Sequence, residues 1–342
     1  MRLVRQTEER GLPVHNPGAG GRKSVIMGIA VLVLAAIASG CATPAQEETG
    51  GRSGAAALKG GNGPGENGPG ENRTGRTVDG AAGALLPPAE QARRAREAAE
   101  AQQVARAVAA RRWGLAQTPL AAPAPPAVKP RIGTRKGFEV DGQVSESLPP
   151  VFTTVPVKER VVFLTIDDGA EKDPELIRMM DELKIPYSAF LADYVVKEDY
   201  GYFKKMQDKG VALHNHTLNH RYLPGLSYRQ QKKEICGQQT NLERRYGTRP
   251  PLFRPPFGNY NRDTLRAAKT CGVRAVPLWA AEAFPDRMEW REWDKDLHPG
   301  DIVLTHFRGP GDWKGSMPDM IRRVMKTITA KGYAVAKLED YV

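Results

Sequence analysis

From Val151 onward, short apolar runs alternate with amphipathic stretches to the end of the chain at Val342, and this alternation leaves few folds open. Arg160 to Asp167 reads as a strand, Pro174 to Leu183 as a helix opened by proline, and Tyr187 to Ala192 as a second strand. A helix over Tyr202 to Lys209 stops at Gly210, and Val211 to His216 is strand-like. Ser227 opens a long helix that Gly247 closes. Leu252 to Phe257 and Arg274 to Ala280 read as strands around a helix over Asp263 to Cys271, and Asp286 to Leu297 reads as helical. Ile302 to Phe307, a helix over Met317 to Lys331, and Tyr333 to Leu338 complete the series. Strands and helices in alternation imply a parallel sheet covered by helices, and about seven strands suit a distorted, incomplete (β/α) barrel.

In such a fold, chemistry gathers where strands end. The run Val161 to Leu164 is continuously apolar, as in a strand buried on both faces, and it ends at Asp167-Asp168-Gly169. Two adjacent carboxylates there repel each other unless a cation or a proton takes up the charge. Other strand ends carry His216 and His220, Arg254-Pro255-Pro256-Phe257-Gly258, and Leu304-Thr305-His306. His216 and His220 are four residues apart, so one turn aims both rings at one point. With one carboxylate of the aspartate pair they form a two-histidine, one-carboxylate set that leaves positions open, as a catalytic metal requires. The other carboxylate is then free to act as a base, held ionised by Arg254, while His306 protonates a leaving group. Base, metal and acid together describe hydrolysis of an amide or ester. His214, two residues before His216, and His298, beside Pro299-Gly300, read as core or surface residues; Trp279, Trp290, Trp293 and Trp313 suit sugar stacking or core packing.

The first 150 residues have a different composition. Arg22 and Lys23 precede an apolar run, Val25 to Ala38, of signal-peptide length, followed by Ser39-Gly40-Cys41. This resembles a bacterial lipobox, which makes Cys41 the lipidated first residue of an exported protein, anchored on the outer face of the cell membrane. Residues 42–150 then read as a disordered Gly/Pro/Ala-rich stalk, with Asn62-Gly63-Pro64-Gly65-Glu66 repeated as Asn67-Gly68-Pro69-Gly70-Glu71. Within it, 89–113 is expected to form a solvated spacer helix, because its apolar residues are mostly alanines. The Ala-Pro tract from Pro119 to Pro130 reads as a stiff spacer that holds the domain away from the membrane. The net charge of +11 is spread without a concentrated basic tract, which argues against nucleic acid and suits an anionic wall. Export permits a disulfide between Cys236 and Cys271, but the sequence alone does not pair them.

Thr165-Ile166-Asp167-Asp168-Gly169, His216 to His220, Arg254 to Gly258 and Leu304 to His306, in this order, resemble the motifs of the polysaccharide deacetylases, the NodB-type domain of carbohydrate esterase family four. The resemblance spans about residues 155–342 and implies removal of acetyl groups from N-acetylhexosamine residues of a glycan by a monomeric enzyme. It also implies a divalent cofactor, Zn2+ first, with Co2+, Ni2+ or Mn2+ as alternatives. Carried over position by position, it makes Asp167 the general base and Asp168, His216 and His220 the metal ligands. Arg254 orients Asp167, His306 is the general acid, Leu304 lines the acetyl pocket, and Pro255, Pro256 and Phe257 shape the groove. One motif departs from the pattern: Trp279 is followed by Ala280-Ala281-Glu282-Ala283-Phe284 in place of an aspartate and an Asp-Trp pair. Glu282 is the candidate to replace that aspartate, and Asp286 or Trp290 the candidate to replace the pair. That departure keeps two rivals open, a catalytically weak metal-containing glycan binder and a deacylase of a non-carbohydrate amide.

Overall fold

Eight consecutive buried residues, Val161–Asp168, form the central strand, which we call β2. A strand flanked on both sides in a parallel sheet and covered on both faces has no solvent side, and the unbroken apolar run follows from that. The computed structural model describes residues 87–342 apart from 144 and 146; the signal segment, the lipobox at Cys41 and the repeat lie outside the described residues.

The strands are β1 (Val151–Phe152), β2, β3 (Ser188–Leu191), β4 (Ala212–Asn215), β5 (Val276–Pro277), β6 (Ala281–Ala283), β7 (Met288–Trp290), β8 (Ile302–His306) and β9 (Ala334–Val335). The helices are α1 (Pro88–Arg112), α2 (Pro174–Leu183), α3 (Asp193–Val196), α4 (Tyr200–Asp208), α5 (Tyr228–Tyr246), α6 (Arg262–Thr270) and α7 (Met317–Ala330). The main sheet runs β4-β3-β2-β8-β6-β7, with β9 beside the start of β2, and β1 pairs with β5 in a smaller ladder. All pairings are parallel except β6 with β7. Single bridges, Asn215 to Phe253 and Leu252 to Ala275, carry the strand pattern on past β4. The ladders form a mostly parallel sheet and, among the described residues, show no closed barrel.

Local signals set most boundaries. Asp173, Ser227, Asn261 and Ser316 cap α2, α5, α6 and α7, each accepting a backbone N–H of the first turn. Gly247 closes α5 at φ 74°, a conformation that favours glycine. The Cys236–Cys271 disulfide joins α5 to the residue that ends α6.

Two expectations fail. Residues 286–297 contain no helix: Pro285-Asp286 make the turn of a hairpin, with the Phe284 N–H on the Arg287 carbonyl at 2.9 Å, and β7 returns antiparallel to β6. Nor are residues 87–150 a solvated stalk. The last turns of α1 bury Arg106, Ala109 and Ala110, and Trp113 is buried just beyond. Arg106 donates to the carbonyl of Leu183 at 2.9 Å and to that of Pro119 at 2.8 Å, while the Trp113 indole N–H meets Glu182 at 2.8 Å. Alanines permit this helix to lie close to α2, and Arg106 satisfies a carbonyl that ends α2. The Ala-Pro tract runs along the domain surface: Leu120 bridges Ala334, and Lys129 donates to the carbonyls of Glu339 and Val342 at 2.6 and 2.9 Å. Phe138, Val140 and Leu148 pack on the core between α5 and α6.

Candidate metal centre and active site

Register brings the strand ends together. Asp167 on β2 lies opposite His306 on β8 and Phe190 on β3, and Leu191 lies opposite Asn215, the last residue of β4. Asp167, Asp168, His216, Arg254 and His306 are all buried, so their charges and hydrogen bonds must be settled within the protein.

The loop after β4 is held by side chains. Asn215 donates to the Ile235 carbonyl at 2.8 Å and accepts the Thr217 N–H at 2.8 Å. The Glu234 carboxylate accepts the N–H and side-chain amide of Asn219 at 2.8 and 2.9 Å. Thr217 and His220 take up φ values of 73° and 49°, and this tight loop turns both imidazoles inward, with ring centroids 4.8 Å apart. Asp168 also adopts a left-handed φ, 77°. Such strain persists only where surrounding contacts fix it, and it clusters at functional sites.

Asp168 Oδ1 is buried, has no hydrogen-bond partner, and lies 3.5 Å from His216 Nε2 and 3.4 Å from His220 Nε2. One donor atom from each of the three residues lies within 4.8 Å of the others. The His216 Nδ1–H donates to the Arg254 carbonyl at 2.7 Å, which fixes the tautomer and leaves Nε2 bare. Burial lowers the His216 pKa to about 4, so the ring is neutral and ready to ligate at neutral pH. Burial alone would raise Asp168, but the neighbouring His220, His306, His216 and Arg308 hold it below the usual carboxylate range. A buried acceptor without a hydrogen-bond partner, facing the Nε2 atoms of two imidazoles, fits a divalent metal.

Asp167 has the other environment. Burial raises its pKa to about 6, against the pull of Arg254. Arg254 donates to Asp167 Oδ1 at 2.7 Å and to Thr165 Oγ1 at 3.0 Å, and it is anchored to the Pro277 carbonyl at 2.8 Å. Two neighbouring carboxylates are therefore driven apart in acidity: the histidines and Arg308 pull Asp168 down, while burial lifts Asp167 toward the range useful to a base.

His306 Nδ1 lies 3.4 Å from Glu282 Oε1, through the β6–β8 register that sets Glu282 beside Leu304. Leu304 is buried, Phe257 packs edge-on to His220 at 4.7 Å, and Pro255 and Pro256 are buried beneath it. Asp286 sits in the exposed hairpin turn, ion-paired to Arg287, and Trp290 lies beside Lys331; neither takes the place proposed for it. The tryptophan that borders His306 is Trp313, with centroids 6.3 Å apart. His214 pairs with Glu339 at 2.6 Å, away from the metal ligands, and His298 lies by Asp294 and Asp301. Sequence reasoning missed Glu234, Asn215 and Arg308, the last donating to Asp168 Oδ2 at 2.8 Å. A second carboxylate on the loop-facing side of α5 was the available signal for Glu234; Arg308, two residues past His306, carried none.

A sequence model of the family described as "Polysaccharide deacetylase" matches residues 154–276. The chain is 42% identical over 203 residues to the uncharacterized protein SCO4760 of Streptomyces coelicolor, covering 59% of this chain and 81% of that protein. It is 25% identical over 200 residues to a peptidoglycan-N-acetylglucosamine deacetylase of Bacillus cereus, covering 54% of this chain and 90% of the relative. The crystal structure of a peptidoglycan N-acetylglucosamine deacetylase, solved with a substituted benzamide, superposes with a TM-score of 0.50 at 20% identity, over 57% of this chain and 94% of that one, and shows a shared fold.

Proposed function

The chain belongs to the polysaccharide deacetylase family, and on that premise we propose that it is a metal-dependent hydrolase that removes N-acetyl groups from N-acetylhexosamine residues of a cell-wall glycan. The observation that carries this reading is the division of labour in one buried pair: Asp168 faces two histidines, and Asp167, beside it, faces Arg254.

Asp168, His216 and His220 would hold the metal, which supplies Lewis acidity that polarises an acetamide carbonyl and activates water. Asp167 accepts a proton from the attacking water; Arg254, fixed by Thr165 and the Pro277 carbonyl, holds the carboxylate in place for it. His306 delivers a proton to the departing amine, and Glu282 orients its ring. The water-derived oxygen enters acetate, the C–N bond breaks, and the free amine stays on the sugar. The Glu282–His306 contact weighs against the rival reading of a weak glycan binder, whose motive is the altered motif.

The Val25–Ala38 run and Cys41 support an exported protein anchored by lipid, and the Cys236–Cys271 bridge suits an oxidising compartment. Zn2+ is the proposed ion, since nitrogen and carboxylate donors in a small open set suit it. The test is acetate release by the zinc-loaded full-length protein from peptidoglycan and from N-acetylglucosamine oligomers. Release from both, faster from peptidoglycan, is expected; bound zinc without acetate from either would overturn the reading.

A further inference from the structure

The two oxygens of Asp168 have separate fates. Oδ1, without a hydrogen-bond partner, faces the histidines, while Oδ2 receives the Arg308 Nη2–H at 2.8 Å. Arg308 is itself held. Its second nitrogen lies 3.7 Å from Asp312 Oδ2, and its loop folds back through the N–H groups of Asp312 and Trp313 on the Gly309 carbonyl, at 3.1 and 2.9 Å. The preceding carbonyl, of Phe307, accepts the Glu171 N–H at 3.0 Å, which ties this loop to the segment that follows Asp168. Gly309 lies against the Glu171 side chain, which a Cβ there would displace.

We propose that Arg308 is a positioning residue that fixes Asp168 as a one-oxygen metal ligand. The proposal rests on the reading of Asp168, His216 and His220 as the metal site. A carboxylate with both oxygens available can rotate and chelate, and it then serves cations of high coordination number such as Ca2+. With Oδ2 engaged by Arg308, only Oδ1 is offered, in a rotamer that the free carboxylate would have to find on each binding event. The guanidinium charge opposes a cation, and the orientation favours it. Outer partners of metal ligands typically contribute 10–100-fold in affinity, so orientation is expected to prevail.

The test is zinc affinity of the full-length protein by competition with a chelating dye, for Arg308→Ala, Arg308→Met and Arg308→Gln, with thermal melting alongside. Ala and Met are expected to weaken zinc by about 10–100-fold, while Gln, which keeps an N–H donor without the charge, stays within a few-fold of the native protein. Met preserves the bulk of the stem and decides the matter if Ala does not fold. Zinc bound by Ala or Met as tightly as by the native protein, or more tightly, would overturn the proposal. So would a loss in Gln as large as in Met, because an N–H donor to Oδ2 would then not be what holds the ligand in place. Failure of the underlying reading looks different: His216→Ala would bind zinc like the native protein.

Discussion

At the scale of single residues, the account turns on two carboxylates, adjacent in sequence, that burial and neighbours drive apart. Asp167 must be ionised to accept a proton, and burial raises its pKa to about 6 in the metal-free protein. A bound dication would lower it, so the acid limb of the rate profile lies at or below that value, with the rate climbing as pH rises through it. His306, the proposed general acid, has Glu282 3.4 Å from its ring to orient it. Replacing Glu282 by Gln is expected to lower kcat by less than the ~10²–10⁴-fold that a general acid contributes. A Glu282→Gln protein with the native kcat would refute the assignment. The aspartate pair, the two histidines, Arg254 and His306 were all legible in the sequence, because each stands where an apolar strand run stops. Arg308 was not legible, because its partner Asp168 is 140 residues away and only the fold joins them.

At the scale of elements, the strand ends are aligned by register, and the sequence carries that register only indirectly. Uniform burial of β2 made its apolar run easy to read, whereas Leu252 to Phe257 supplies single bridges instead of a ladder. The 286–297 stretch misled because charged residues between Met288, Trp290 and Trp293 mimic a solvated helix, while Pro285-Asp286 folds the chain back. Alanine content misled likewise over α1, since small side chains serve close packing as well as solvation. Trp113, buried just past α1 and stacked by Arg178 at 5.0 Å, is the test of that packing. Trp113→Ala is expected to lower unfolding stability by about 3–5 kcal/mol in urea titration, with acetate release retained below the transition. A change under ~0.5 kcal/mol, the range of ordinary surface substitutions, would mean that α1 is a passive spacer after all.

At the scale of the molecule, the segment from residue 87 to 150 belongs with the domain: Arg106, Trp113, Leu120, Lys129 and Phe138 each touch it at a different place. The proposed lipid tether would therefore have to come from residues before 87, and the folded domain is larger than its motifs suggest. In the proposed enzyme, metal binding and proton transfer fall to different members of one buried cluster, and this division can be measured. It is tested by measuring bound zinc and acetate release together in Asp167→Asn and His216→Ala. The account predicts one zinc per chain and an acetate rate lower by ~10²–10⁴-fold in Asp167→Asn, against loss of both in His216→Ala. Acetate release at the native rate by zinc-loaded Asp167→Asn, or loss of its zinc, would contradict it.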